Sequence, residues 1–386
     1  MKASKAFVLS ACVLLVGTVA AFAAAEAKPA VKPNTLNQED ISAGWILLFD
    51  GETPFGWKTE MDGLLVDKGA LNTGSAKYRT AKTTTEFGYF NLAFEYQGDG
   101  VEVVLNGEVY PLPASKGGWM QAEYTVEPAE KGHKVACAVS VEGSKNGEKT
   151  SDLKLVNGPS RTAIAIRVPA QAKLELRNVK LKPLTLQPIF NGKDLTGWKA
   201  VDEQKHPSKF SVTADGELSI KNGSGDIQTE GQWDDFVLQL AVKSNGEHLN
   251  SGIFFRCLPG QFWQGYECQI RNEWKGYKKG EPRDEANEDR TKPVDCGTGG
   301  FYARVDSRKV VSNDHEWFTV TIVAHGNHLS AWVNGYQTAD YTDNAKDAES
   351  ARNGRRMGPG MISLQGHDPT TDLLFKNINV AELPRR

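Results

Sequence analysis

From about residue 41 onward the chain is built of short runs in which apolar and polar residues alternate. Tyr89–Tyr96 (YFNLAFEY), Thr162–Val168 (TAIAIRV), Phe236–Ser244 (FVLQLAVKS) and Gly360–His367 (GMISLQGH) are examples. A period of two, with Val, Ile, Phe and Tyr on one side, predicts half-buried β-strands. Gly, Asn and Asp clusters separate the runs and supply the turns. No long stretch has helical periodicity. Many short strands at regular spacing predict an all-β protein of the sandwich or jelly-roll kind.

The pattern occurs twice. Leu47–Thr59 reads LLFDGETPFGWKT, and Pro188–Ala200 reads PIFNGKDLTGWKA. Each repeat closes on an alternating strand with a basic residue followed by Asn: Arg177-Asn178 in one, Lys376-Asn377 in the other. The expected organisation is therefore two tandem β-sandwich domains, 41–183 and 186–384, joined by a short extended connection containing Pro183 and Pro188.

The N-terminus differs from the rest. Lys2 and Lys5 precede an apolar run ending in AAFAAAEA, the layout of a cleavable export signal over residues 1–25. Residues 26–40 are expected to be a flexible segment, and no later stretch is long and apolar enough to span a bilayer. The expected location is periplasmic or extracellular. A formal net charge of -3 gives no basic face for nucleic acid. Of the cysteines beyond the signal, Cys257 and Cys268 flank a turn. Paired strands would let them face each other as a disulfide; buried free thiols are the alternative reading.

Strand alternation also sorts the candidate chemistry. It sets Phe254 and Arg256 on one face of their strand, Glu267 and Gln269 on one face of the next, and Gln365 and His367 on one face of a third. If these faces line one concave sheet, a guanidinium, a carboxylate, an imidazole and two amides converge. Amides and Arg bind sugar oxygens, while Glu and His move protons. The glucanases of the lectin/glucanase class place two carboxylates on one strand. Here that strand supplies only Glu267, which argues against double displacement. The charged, Gly- and Pro-rich stretch Asn272–Gly300 reads as a long loop beside this face. His325 and His328 resemble a metal pair but are expected to straddle a hairpin turn. No cofactor motif or metal-ligand cluster stands out, and a divalent cation is left open.

The stretches IFNGKDLTGWK, SGIFFR, GYECQI, GTGGFYAR, EWFTVTIVAHGNHLSAWVNG and GHDPTTDLLFKNINVAEL resemble the 3-keto-disaccharide hydrolase domain family. The resemblance covers the second repeat; the first keeps only the opening motif and closing strand. It implies two concanavalin A-like (lectin/glucanase) sandwiches, the first of them degenerate and non-catalytic. It also implies a site made of Arg256, Glu267, Gln269 and His367, with Gln365 and Tyr302 nearby. Phe318 stands where the family often has Asn. The implied activity is cleavage of 3-keto-glycosides or related saccharides, with Glu267 and His367 as acid and base and Arg256 with Gln269 at the developing oxyanion. The alternative is an exported, lectin-like saccharide-binding protein without catalysis.

Overall fold

The computed structural model describes residues 32–59, 64–72, 79–141, 150–202, 205–281 and 288–385. The export signal expected over 1–25 lies outside them. Among the described residues no helix is long and apolar enough to cross a membrane. The architecture is all-β: four antiparallel sheets form two sandwiches, each pairing an eight-stranded with a five-stranded sheet.

The repeated motifs have a structural reason in both copies. Asp50 Oδ1 accepts the backbone N–H groups of Glu52 and Thr53, and Asn191 Oδ1 accepts those of Lys193 and Asp194. The short polar side chain thus forms the turn itself. The indole N–H of Trp57 then donates to the Leu48 carbonyl, and that of Trp198 donates to Ile189 at 2.8 Å. At the closing strands Asn178 and Asn377 adopt positive φ, 53° and 51°, where each strand's register with its neighbour shifts. A bulge needs a residue that tolerates the left-handed region, and Asn does so better than most.

The two sandwiches share a close boundary within the compact unit Lys32–Arg386. Trp332 Nε1 donates to the Leu47 carbonyl at 2.8 Å, Arg308 pairs with Asp50 at 2.8 Å, and Arg161 pairs with Asp235 at 2.7 Å. Trp332, Val237 and Val323 of the second sandwich pack into the core cluster of the first. The segment expected to be flexible is anchored over its described part. Asn34 is buried and exchanges two hydrogen bonds with Asn178, at 2.6 and 2.8 Å, and Asn37 caps the short helix Gln38–Ser42. The paired amides supply the backbone partners that a free segment would take from water.

The five-stranded sheet of the second sandwich matters most for function. Its strands lie in the order Trp198–Ala200, Gly225–Thr229, Met361–Gly366, Ser251–Cys257, Tyr266–Ile270. One face carries Ile227, Leu364, Ile253 and Cys268 into the core. The opposite face is polar. His325 and His328 pair across a hairpin turn, as expected, and both serve structure. His328 Nε2 lies 2.7 Å from Asp340 Oδ1, while His325 Nε2 accepts the Glu86 N–H at 3.1 Å. The four described cysteines are free thiols. Residue 268 pairs with Ile253 rather than Cys257, so the disulfide geometry does not arise.

Candidate functional site

Register places the polar face residue by residue. Asp226 pairs with Gln365, and Gly252 with Gln269; alongside, Gln228 pairs with Ser363, Ser363 with Phe254, and Phe254 with Glu267. These rows cross four strands on one face, so side chains distant in sequence share one surface. Gly252 leaves its part of the floor empty. A Cβ there would stand 2.7 Å from Glu267 Oε1, because the Glu267 side chain lies over that glycine.

Glu267 is buried, and its Oε2 accepts from Arg352 Nη2 at 3.0 Å. Burial pushes its carboxyl up to about 7. Arg352 opposes the shift, and the nearby charges of Asp226 and Asp295 add to it. Asp226 is buried as deeply and is also raised to about 7 by desolvation. The Trp263 N–H donates to its Oδ2 at 3.0 Å, and this bond and the charge of Arg352 oppose the shift, but Oδ1 has no hydrogen-bond partner among the described residues. The same holds for Ser363 Oγ, Gln269 Oε1 and Gln365 Oε1. Four buried, unpartnered oxygens on one sheet face are an array of acceptors suited to a ligand with several hydroxyl donors.

Loops complete the surround. Arg352 reaches in from the segment after the Tyr336–Thr342 strand. Its Nε donates to the Trp263 carbonyl at 3.0 Å, and its guanidinium lies 5.3 Å from the Tyr302 ring centre. Trp263 stacks on His367 at 6.0 Å between ring centres, and on Phe262 at 4.6 Å. Gln228 holds the adjoining loop through Gly260 N–H and the Gln261 carbonyl, both at 3.0 Å. The stretch Asn272–Gly300 contributes Asp295. Its carbonyl accepts from Gln269 Nε2 at 2.9 Å, and its carboxylate accepts from Asn250, which also meets His367 at 3.3 Å.

Glu267, Gln269, Gln365, His367 and Tyr302 therefore gather around one face. Arg256 does not. It sits at φ 51° where its strand bulges against Met361–Gly366, and the bulge breaks the alternation that had set it beside Glu267. Its fully buried guanidinium instead pairs with Asp235 at 3.0 Å and donates to the carbonyls of Asp234 and Gly326. The cation of the site is Arg352, and a second carboxyl, Asp226, stands three strands from Glu267. Asp226 had a visible signal, since GDIQT alternates polar and apolar residues as the other site strands do. Arg352 lies in an irregular loop and had none. Among the described residues no group of three or more His, Cys, Asp and Glu side chains is placed to hold a metal ion.

The equivalent face of the first sandwich is different. Its rows read Lys82–Ala165–Val104–Val109 and Thr80–Arg167–Glu102–Pro111, which places no pair of buried carboxyls there.

The fold defines a protein of two antiparallel β-sandwiches, the second with a polar, acid-bearing face on its five-stranded sheet. Residues 185–381, more than half of the chain, match the 3-keto-alpha-glucoside-1,2-lyase-like domain, and the chain belongs to that family. Among solved structures it is similar to a candidate glycosyl hydrolase from Parabacteroides distasonis, at 23% identity over 52% of this chain and 94% of that one, with a TM-score of 0.39. A second candidate glycosyl hydrolase from the same organism is 21% identical over 52% of this chain and all of its own, with a TM-score of 0.38. The carbohydrate-binding module CBM66 from Bacillus subtilis is 12% identical over 50% of this chain and 99% of its own, with a TM-score of 0.35. No curated protein matches the chain.

Proposed function

We propose that the second sandwich cleaves 3-keto-glycosides by proton abstraction and elimination, with Glu267 and Asp226 sharing the acid–base work. The observation that carries this reading is two buried carboxyls, both raised to about 7, on one sheet face with the Arg352 guanidinium paired to one and opposing the shift of both. Carboxyls tuned near neutrality are suited to give and take protons at physiological pH.

The chemistry follows from the keto group. A carbonyl at C3 acidifies the hydrogen at C2. Ionised Glu267 takes that proton, and the electron pair is held as an enolate on the C3 oxygen, to which Arg352 supplies positive charge. The enolate then expels the glycosidic oxygen from C1, and protonated Asp226 donates its proton to the leaving oxygen. Addition of water across the new C1–C2 double bond gives the free keto-sugar. The two carboxyls start three strand spacings apart, roughly 14 Å at the backbone, and Glu267 leans over Gly252 toward Asp226, which narrows the gap that the substrate must bridge. Gln269, Gln365 and Ser363 would accept hydroxyl protons, and His367 with Trp263 would border the second sugar unit. The reading also takes the first sandwich as a non-catalytic companion and the protein as exported.

A 3-keto-disaccharide and its unoxidised parent, assayed side by side, test the proposal. The wild-type chain should release product from the keto form alone, and Glu267→Gln should lower that rate by about 100-fold or more. Full activity in Glu267→Gln would sink the assignment, and binding of either sugar without release of product would favour a lectin.

A further inference from the structure

The outer face of the second sandwich's larger sheet carries a cleft that none of the residues of the proposed catalytic site lines. A cavity of about 350 Å³ lies between residues 41–45 and the strands Phe236–Ser244, Trp317–His325 and Asp372–Glu382. That volume is within the range of small-ligand sites. None of the lining residues is charged, although Asp, Glu, Lys and Arg make up 24% of the chain. An ion entering would lose hydration, and the adjacent charges, Lys180 and Asp40, already pair with each other at 2.9 Å, so the cleft is better suited to a neutral ligand.

Gln239, Thr319, Thr321, Asn377 and Asn379 supply the polar groups, and Trp45 supplies a flat apolar ring. Amides and hydroxyls both donate and accept, which matches a ligand whose own groups do both. The walls are fixed from both sandwiches before any ligand arrives. Lys180 pairs with Asp40 at 2.9 Å and sits 4.9 Å from the Trp45 ring centre, while Gln239 Nε2 donates to the Gly44 carbonyl at 2.9 Å and to Thr321 at 3.0 Å. Gly44 has φ 86°, and a Cβ there would stand 2.7 Å from Gln239 Oε1, so the close approach needs glycine. Such preorganisation lowers the cost of binding.

We infer that this cleft is a second, non-catalytic binding site for a neutral saccharide unit. Amide and hydroxyl groups without charge, beside an indole, fit an uncharged polyhydroxylated ring. The site is independent of the proposed chemistry at Glu267 and would hold a glycan on the opposite sheet of the same sandwich.

The test uses maltotriose and cellotriose at up to about 10 mM, a concentration suited to weak sites, with the mature chain labelled with fluorinated tryptophan. One of the two sugars should shift the Trp45 signal, assigned with Trp45→Phe. Thr319→Trp, which fills the cleft and leaves the Lys180 and Gln239 contacts intact, should weaken that binding tenfold or more. Glu267→Gln should bind as the wild type does. Asn379→Ala replaces Thr319→Trp if a melt shows the larger residue to disturb folding. The inference is overturned if neither sugar moves the Trp45 signal, or if binding is lost in Glu267→Gln and kept in the cleft variants.

Discussion

Arg352 Nη2 stands 3.0 Å from Glu267 Oε2 while Arg352 Nε holds the Trp263 carbonyl, also at 3.0 Å. One guanidinium therefore fixes the carboxylate and the loop that presents Trp263, whose own N–H reaches Asp226. The two carboxyls are linked through one loop and one cation rather than by direct contact.

Loss of this cation should affect both rate and pH profile. Arg352 lowers the Glu267 carboxyl against the effect of burial, so Arg352→Ala should raise it above about 7. Less of the ionised base is then present at neutral pH, and the acid limb of kcat/KM should move to higher pH. The loss at pH 7 should be about 100-fold or more, since charge at the developing oxyanion is lost too. Arg352→Lys should recover little, because an ammonium cannot span both partners in the fixed geometry of a guanidinium. Unchanged pH limbs in Arg352→Ala would separate Arg352 from the chemistry.

Gly252→Ala tests the placement of Glu267. The added methyl would stand 2.7 Å from Glu267 Oε1 and 2.8 Å from a Phe254 ring carbon. Glu267 can yield only by leaving its position. A shift of about 1 Å in a reacting group can cost roughly 100-fold in rate. The expected outcome is a large fall in kcat per folded molecule, with a melting temperature lowered by a few degrees through the contact with buried Phe254, read by steady-state kinetics and a thermal melt. Wild-type kinetics would show that Glu267 need not lie over Gly252.

Arg256 separates structure from chemistry. It resembles a site residue in sequence, yet its guanidinium is fully buried against Asp235. In Arg256→Ala, Asp235 keeps Arg161, but the carbonyls of Asp234 and Gly326 lose their buried donor, at about 1–3 kcal/mol each. Arg256→Ala should therefore lower the denaturation midpoint strongly, while activity per folded molecule stays within about threefold of wild type. A loss of kcat with stability intact would place Arg256 back in the reaction.

The contrast between Arg256 and Arg352 shows what the sequence could reveal. The strands, the repeat and the polar faces were legible because period-two alternation is a local property of the backbone. Glu267, Gln269 and Gln365 obeyed it and fell together. Arg256 did not, because one left-handed residue at a bulge rotates everything after it, and no local pattern announces a bulge at an arginine. Asp226 was legible in alternation but not in importance, since only register across Met361–Gly366 brings it onto the face of Glu267. Arg352 and Trp263 arrive from irregular loops, whose paths tertiary contacts decide.

Asp226 yields the sharpest prediction, because its environment sets the sign. Its carboxyl is raised by burial from the usual carboxylate range to about 7 in the folded chain. The folded state therefore holds a proton that the unfolded state has released between about pH 4 and pH 7. The resulting stability is fully present below about pH 4 and is lost as pH rises through about 7. At pH 8 the native protein carries a buried, half-satisfied carboxylate. Asp226→Asn removes that charge and keeps the shape, so it should raise the melting temperature at pH 8 by about 5 °C or more. The advantage should shrink toward zero as the melt is repeated down to pH 4, where the wild-type carboxyl is neutral as well. Because Asp226 and Glu267 feel each other's charge, the change should follow the titration of the pair rather than of one residue. The same substitution removes the proposed acid, so kcat/KM should fall about 100-fold or more at pH 7. A variant that is both more stable at pH 8 and less active would mark Asp226 as a group held under electrostatic strain for function. A variant less stable at every pH would show that the carboxylate is satisfied in the folded state, and the acid–base reading of the pair would fall with it.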